Sequence, residues 1–194
     1  MNKSTTTEIA GEYYLRGVPE MASGFKLNSD NTFQFFLAYG ALDRYGSGEW
    51  KTENGRLILQ SKIWSGKDFA LLESKTAGDD GVTVKITDKN QNVLRYVYGN
   101  LEKDTKESWR PANSDGMISF PKQDVSNISL VFEFCPERFS VFTVDNPKHN
   151  YFEFRFEPWL VEFFFNDFKL AITKEGLKGK HPMMKGEEFV YVKQ

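Results

Sequence analysis

One cysteine and two histidines among 194 residues leave several chemistries without their usual side chains. Cys135 has no second cysteine to pair with, which excludes an internal disulfide and the disulfide-scaffold class of secreted domains. Flanked by Phe134 and Pro136, with no base near it in sequence, it reads as a small buried hydrophobe at a strand end. His149 and His181 sit in KHN and KHP, polar turn contexts, and neither has a second His or a Cys two or four positions away. Zinc takes three or four such ligands from compact spacings, so no metal and no other cofactor is expected. Also missing are a Gly-x-Ser-x-Gly elbow, a glycine loop with a lysine for phosphate, and a dinucleotide fingerprint. Asp79 and Asp80 are adjacent carboxylates, but their Gly-flanked polar setting reads as a solvated loop rather than an acid and base pair.

Charge of one sign is scarce too. Twenty-five basic residues stand against 27 acidic ones, interspersed, for a net charge of -2. Phosphate binding depends on clustered Lys and Arg, so a nucleic-acid partner is excluded from the expectations. No run approaches 18 apolar residues, so no membrane-spanning helix is expected. The opening MNKSTTTEIAGEYY holds no apolar stretch of signal-peptide length. The chain as given therefore reads as cytoplasmic; an exported protein whose leader has been trimmed is the alternative.

Helical periodicity is nearly absent, and in its place short alternating runs of Phe, Tyr, Val and Ile recur between Gly, Asn and Asp clusters. That spacing predicts an all-β chain of the barrel or sandwich kind. In GFKLNSDNTFQFFLAY, a turn over 28–32 sets Phe25, Leu27, Phe33, Phe35 and Leu37 on one face, with Lys26 and Gln34 toward water. In GSGEWKTENGRLILQS, Asn54-Gly55 suits a type I′ turn, which sets Trp50 opposite Leu59 and Thr52 opposite Leu57 on one face. Glu49 then faces Gln60 and Lys51 faces Ile58 on the other. DFALLESK reads as a further strand, and TAGDDG at 76–81 as the domain boundary. Beyond it, Val82, Val84 and Ile86 share a face, DKNQN connects to a strand over 93–98, and 99–117 is a long loop that Trp109 pins. ISF, ISLVFEF, RFSVFTV, NYFEFRF and EEFVYVKQ follow as strands. The expected organisation is an antiparallel meander or barrel-like subdomain over 8–76, then a β-sandwich over 81–194.

GEYYLRG, SGFKLNSDNTF and GSGEW resemble the lipocalin-like meanders of bacterial proteins. VTVKITDKNQNVLRYVYGN with SDGMISFP resembles the transthyretin-like or carboxypeptidase-regulatory-like sandwich, although the turn lacks that family's usual Gly and Pro. Both resemblances imply non-catalytic β-modules and carry no catalytic residue onto this sequence.

Two stretches hold the candidate functional residues. YGALDRYGSGEW sets Tyr39, Asp43, Arg44, Tyr45 and Trp50 around three glycines, the composition of a surface for a sugar or small polar ligand. The stronger reading of the same residues is a packed strand, with glycines for close approach, Tyr45 and Trp50 in the core, and Asp43 paired to Arg44 or capping a turn. FEFRFEPWLVEFFFNDFKL carries seven Phe and one Trp in nineteen positions. Phe152, Phe154 and Phe156 alternate with charges, and an Asn166-Asp167 hairpin sets Phe165 opposite Phe168, Phe163 opposite Leu170 and Val161 opposite Ile172. Trp159 and Phe164 are left without a burial role and are a candidate interaction surface. The leading expectation is a non-enzymatic module that binds a small molecule or glycan. A protein-interaction module using an exposed edge or the Trp159 and Phe164 surface is the alternative. The third is a hydrolytic or carbohydrate-active enzyme around Asp43, Arg44, Tyr39 and Tyr45. No oligomeric state follows from the sequence.

Overall fold

A computed structural model describes residues 8–78, 81–101 and 108–194. Five strands come first: β1 (Gly11–Leu15), β2 (Met21–Leu27), β3 (Thr32–Tyr39), β4 (Leu42–Glu53) and β5 (Arg56–Gln60). Eight follow: β6 (Phe69–Lys75), β7 (Val82–Thr87), β8 (Val97–Asn100), β9 (Arg110–Pro111), β10 (Met117–Phe120), β11 (Asn127–Phe132), β12 (Ser140–Thr143) and β13 (Tyr151–Phe156). The last four are β14 (Glu162–Phe163), β15 (Phe168–Thr173), β16 (Gly176–Gly179) and β17 (Phe189–Lys193). Almost all regular structure is β, as the alternation predicts.

Eight strands close into an antiparallel barrel in the order β4-β3-β2-β1-β17-β16-β15-β5, with β5 returning to β4. This architecture is compatible with a lipocalin-like β-fold. Two predicted hairpins form, the Asn54-Gly55 one residue for residue. Leu27 pairs with Phe33 and Phe25 with Phe35. Trp50 pairs with Leu59, Thr52 with Leu57 and Glu53 with Arg56, while Asn54 and Gly55 take φ of 51° and 74°, as a type I′ turn requires. Inward residues from every strand then fill the interior. Phe25 lies 4.8 Å from Phe35 and 4.9 Å from Tyr191, and Phe33 lies 5.4 Å from Phe165, most of these rings meeting edge to face.

The second unit, Ser65–Leu160, holds two sheets, β10-β7-β13-β6 and β12-β11-β8-β9, in a sandwich-like arrangement. Rings from the two sheets meet in its core: Phe142 stands 4.8 Å from Phe154, and Phe132 stands 5.5 Å from Phe156. Val82, Val84 and Ile86 are buried together, as expected, and Cys135 is fully buried. A buried ion pair joins Arg138 Nε to Asp68 Oδ2 at 2.9 Å, and the Arg138 Nη2 donates to the Leu160 carbonyl at 2.7 Å.

Several expectations need correction. The chain does not divide at 76–81: the first unit is formed by the described residues of Met1–Trp64 together with Val161–Gln194. The reason is pairing. β6 lies against β13, and β5 needs β15 on its open side to close the barrel. The sandwich is thus an insertion in the barrel's sequence and does not run to 194. Asp79 and Asp80 lie outside the described residues, as do 102–107 of the expected long loop. The 93–98 strand begins only at Val97, because Gln91–Tyr96 is a 3-10 turn capped by the Asn90 side chain. The Asn166-Asp167 hairpin does not form either. Asp167 does adopt a positive φ of 49°, but both edges of β15 are taken by β5 and β16, and β14 instead runs parallel to β4. Phe163, Phe165 and Leu170 still share the barrel interior.

Candidate functional site

Strand parity splits the residues of YGALDRYGSGEW between two faces. Along β4, Arg44 and Trp50 point into the barrel, 2% and 4% exposed, while Asp43 and Tyr45 point out. Arg44 sets its guanidinium 3.7 Å from the Phe163 ring centroid and donates from Nε to the Val161 carbonyl at 3.4 Å. Trp50 donates from Nε1 to the Asn28 carbonyl at 3.0 Å, the single polar partner a buried indole needs. Gly46 is a close-approach position, since a Cβ there would stand 2.7 Å from the Phe165 ring. Tyr39 is exposed at the end of β3. The five residues therefore do not form one cluster, because neighbours on a strand face opposite ways.

What the register does bring together is a row of outward positions around Tyr45. Tyr14 of β1 pairs with Gly24 of β2, Gly24 with Phe36 of β3, and Phe36 with Tyr45 of β4. Tyr14, Phe36 and Tyr45 are 36%, 38% and 47% exposed. Strands β1 and β3 lie two spacings apart, roughly 9.6 Å, yet the rings of Tyr14 and Phe36 are only 5.8 Å apart, inclined at 62°. Gly24 makes that possible. A Cβ at that position would stand 2.9 Å from Phe36 Cε1 and 2.5 Å from the Tyr13 carbonyl oxygen, so the Phe36 ring reaches over the bare backbone of β2.

A second outward row runs beside the first. Glu12, Lys26, Gln34 and Ser47 pair across the same four strands. Lys26 Nζ sits 3.4 Å from Glu12 Oε1, and Tyr14 Oη donates to Glu12 Oε2 at 2.9 Å. The Tyr14 hydrogen bond and the Lys26 ammonium hold the Glu12 carboxyl below its ordinary pKa, and the same hydrogen bond raises the Tyr14 phenol. Both rows line a trough of about 400 Å³, one wall aromatic and one polar. Among the described residues, neither the Gln34 amide nor the Ser47 hydroxyl has a side-chain hydrogen bond within the protein.

Other depressions are chemically plainer. One of about 610 Å³ lies at a barrel mouth, between the Asn54-Gly55 turn and Thr173 to Gly176. Among its lining residues, Tyr13 Oη donates to the Ile9 carbonyl and Lys193 Nζ to the Glu8 carbonyl, each at 2.6 Å. The inward aromatic and aliphatic side chains of the barrel form one buried cluster. Among the described residues no group of three or more His, Cys, Asp or Glu is placed to hold a metal, and no helix is long and apolar enough to cross a membrane.

Trp159 and Phe164, the other expected surface, fall in different units. Trp159 belongs to the second unit, half-buried, with Nε1 donating to the Lys67 carbonyl at 3.0 Å. Phe164 belongs to the first, half-buried, with Lys62 Nζ 5.6 Å from its ring centroid. β6 is an edge strand of its sheet, and Leu71 and Leu72 on it are exposed. A bulge opposite Glu153 and Phe154 breaks its register, one of the devices by which an edge is kept from pairing.

Sequence reasoning missed Tyr14 and Phe36. The signal was present in the doublets Tyr13-Tyr14 and Phe35-Phe36, since two successive aromatics on a half-buried strand must put one ring outside. No known protein family, curated protein or solved structure matches this chain.

Proposed function

We propose that this chain is a non-enzymatic carbohydrate-binding protein, with its ligand in the trough between the Tyr14-Phe36-Tyr45 row and the Glu12-Lys26-Gln34-Ser47 row. The observation that carries the reading is the exposure of three aromatics in one cross-strand register, beside a parallel row of hydrogen-bonding side chains. A pyranose has C–H faces and hydroxyl edges, so a trough with one apolar and one polar wall meets both at once. Exposed aromatics gathered in one row, rather than scattered singly, are the kind of apolar surface that marks a binding site.

Binding is favoured over catalysis by the carboxylate count. Glycoside hydrolysis needs two carboxyl groups flanking the bond, whereas the trough lining holds only Glu12, ionised and engaged by Tyr14 and Lys26. Backbone amide shifts recorded while the protein is titrated with neutral, acidic and amino-sugar oligosaccharides, nucleosides and short peptides test the reading. At least one glycan is expected to move Tyr14, Lys26, Gln34, Phe36, Tyr45 and Ser47 together. A panel in which no glycan moves them, or in which shifts gather elsewhere, overturns it.

A further inference from the structure

Resting on that reading, we propose that the trough takes a neutral, β-linked chain of pyranoses with equatorial hydroxyls, laid across strands β1 to β4 rather than along them. Direction follows from the register. Both walls run perpendicular to the strands, over three strand spacings or roughly 14 Å, a span suited to a di- or trisaccharide. Nothing comparable lines the strand direction, where each outward row gives way to a different one: Ala22, Ala38 and Asp43 follow Gly24, Phe36 and Tyr45.

The stereochemistry follows from Phe36. Its ring atoms Cε1 and Cζ lie over Gly24 and the ring is partly exposed, so the ligand meets the side turned to solvent. A pyranose whose substituents are all equatorial carries only C–H bonds on its faces and lies flat on that ring. An axial hydroxyl would be pressed against the ring and stripped of water without a partner, which is costly.

Neutrality follows from the other wall. Its two charges, Glu12 and Lys26, are already paired with one another. An incoming carboxylate would have to share Lys26 with Glu12 and sit beside a like charge. Neutral hydroxyls face no such penalty, and the Gln34 amide offers a donor and an acceptor to a vicinal pair, with the Ser47 hydroxyl one strand further on.

Three trisaccharides differing in one feature each separate these claims: cellotriose, β-1,4-mannotriose with its axial 2-hydroxyl, and the triglucuronate made by oxidising each C6 of cellotriose. Affinities are read by calorimetry and the site by amide shifts, on the full chain and on Phe36→Ala, whose exposed position leaves folding intact on a thermal melt. Cellotriose is expected to bind, the other two about tenfold or more weakly, and Phe36→Ala to lose about tenfold in cellotriose affinity. If mannotriose or the triuronate binds the trough as tightly as cellotriose, the ligand class is overturned while the trough stands as a site. If none of the three moves the trough residues, the ligand class fails, and the wider panel decides whether the site itself fails with it. An unchanged Phe36→Ala affinity overturns the stacking argument on its own.

Discussion

His181 is buried at one end of the barrel interior, although KHP reads as an exposed polar turn. Its Nδ1 accepts from the backbone N–H of Met183 at 3.1 Å and of Met184 at 3.3 Å, which leaves the proton on Nε2, 3.3 Å from Ser23 Oγ. Phe35, Phe189 and Tyr191 surround the ring. Burial among them lowers its pKa from 6.5 to about 4. Between those values the unfolded chain binds a proton that the folded chain does not, so stability rises with pH across the window. Its contribution is full above about 6.5 and lost progressively toward 4. Urea midpoints for the protein and for His181→Gln, measured from pH 4 to 7, are expected to converge at the acid end; parallel curves would refute the assignment. Phe189 and Tyr191 follow His181 by only eight and ten residues, but Ser23 and Phe35, which complete its surroundings, come from β2 and β3, about 150 residues earlier.

The element whose role changed most between sequence and structure is 161–167. The expected hairpin puts Phe163 and Phe165 on the buried face, where they are, but not beside the right strand, since the pairing partner β4 lies more than 100 residues earlier. Local turn chemistry at Asn166-Asp167 favoured a hairpin, and barrel closure overrode it. Asn54-Gly55 was legible to the residue because turn, alternation and closure all agree there. The three consecutive phenylalanines offer a direct check. Phe165 is 4% exposed and touches the rings of Phe25, Phe33, Phe35 and Phe168, whereas Phe164 is half-buried. By denaturant unfolding, Phe165→Ala is expected to cost about 3–5 kcal/mol and Phe164→Ala about 1 kcal/mol or less. Equal losses would show that the segment is not seated as described.

At the scale of the molecule, each unit fastens its own chain crossings. In the barrel, Ser61 N–H donates to the Phe165 carbonyl at 2.7 Å and Lys62 Nζ lies 2.9 Å from Glu162 Oε2. In the sandwich, Glu157 N–H donates to the Asp68 carbonyl at 2.9 Å, Trp159 to Lys67, and Arg138 holds Asp68 and Leu160. Replacing 65–160 by a short Gly-Ser linker is therefore expected to leave a barrel with cooperative thermal unfolding and dispersed amide resonances. A collapsed spectrum without dispersion would mean that the barrel needs the insertion. Excision also leaves every residue of the trough in place, so the shortened chain should keep its ligand.

The closing of β1 against β17 and of β5 against β15 sets a schedule for the newborn chain. Five strands with their aromatic face emerge from the ribosome roughly a hundred residues before the strands that cover them, a delay of about 5–20 s at ordinary synthesis rates of ~5–20 residues per second. The sandwich is completed within that interval. A half-sheet lined with phenylalanine must wait beside it, which makes the nascent barrel, rather than the finished one, the form most in need of a chaperone.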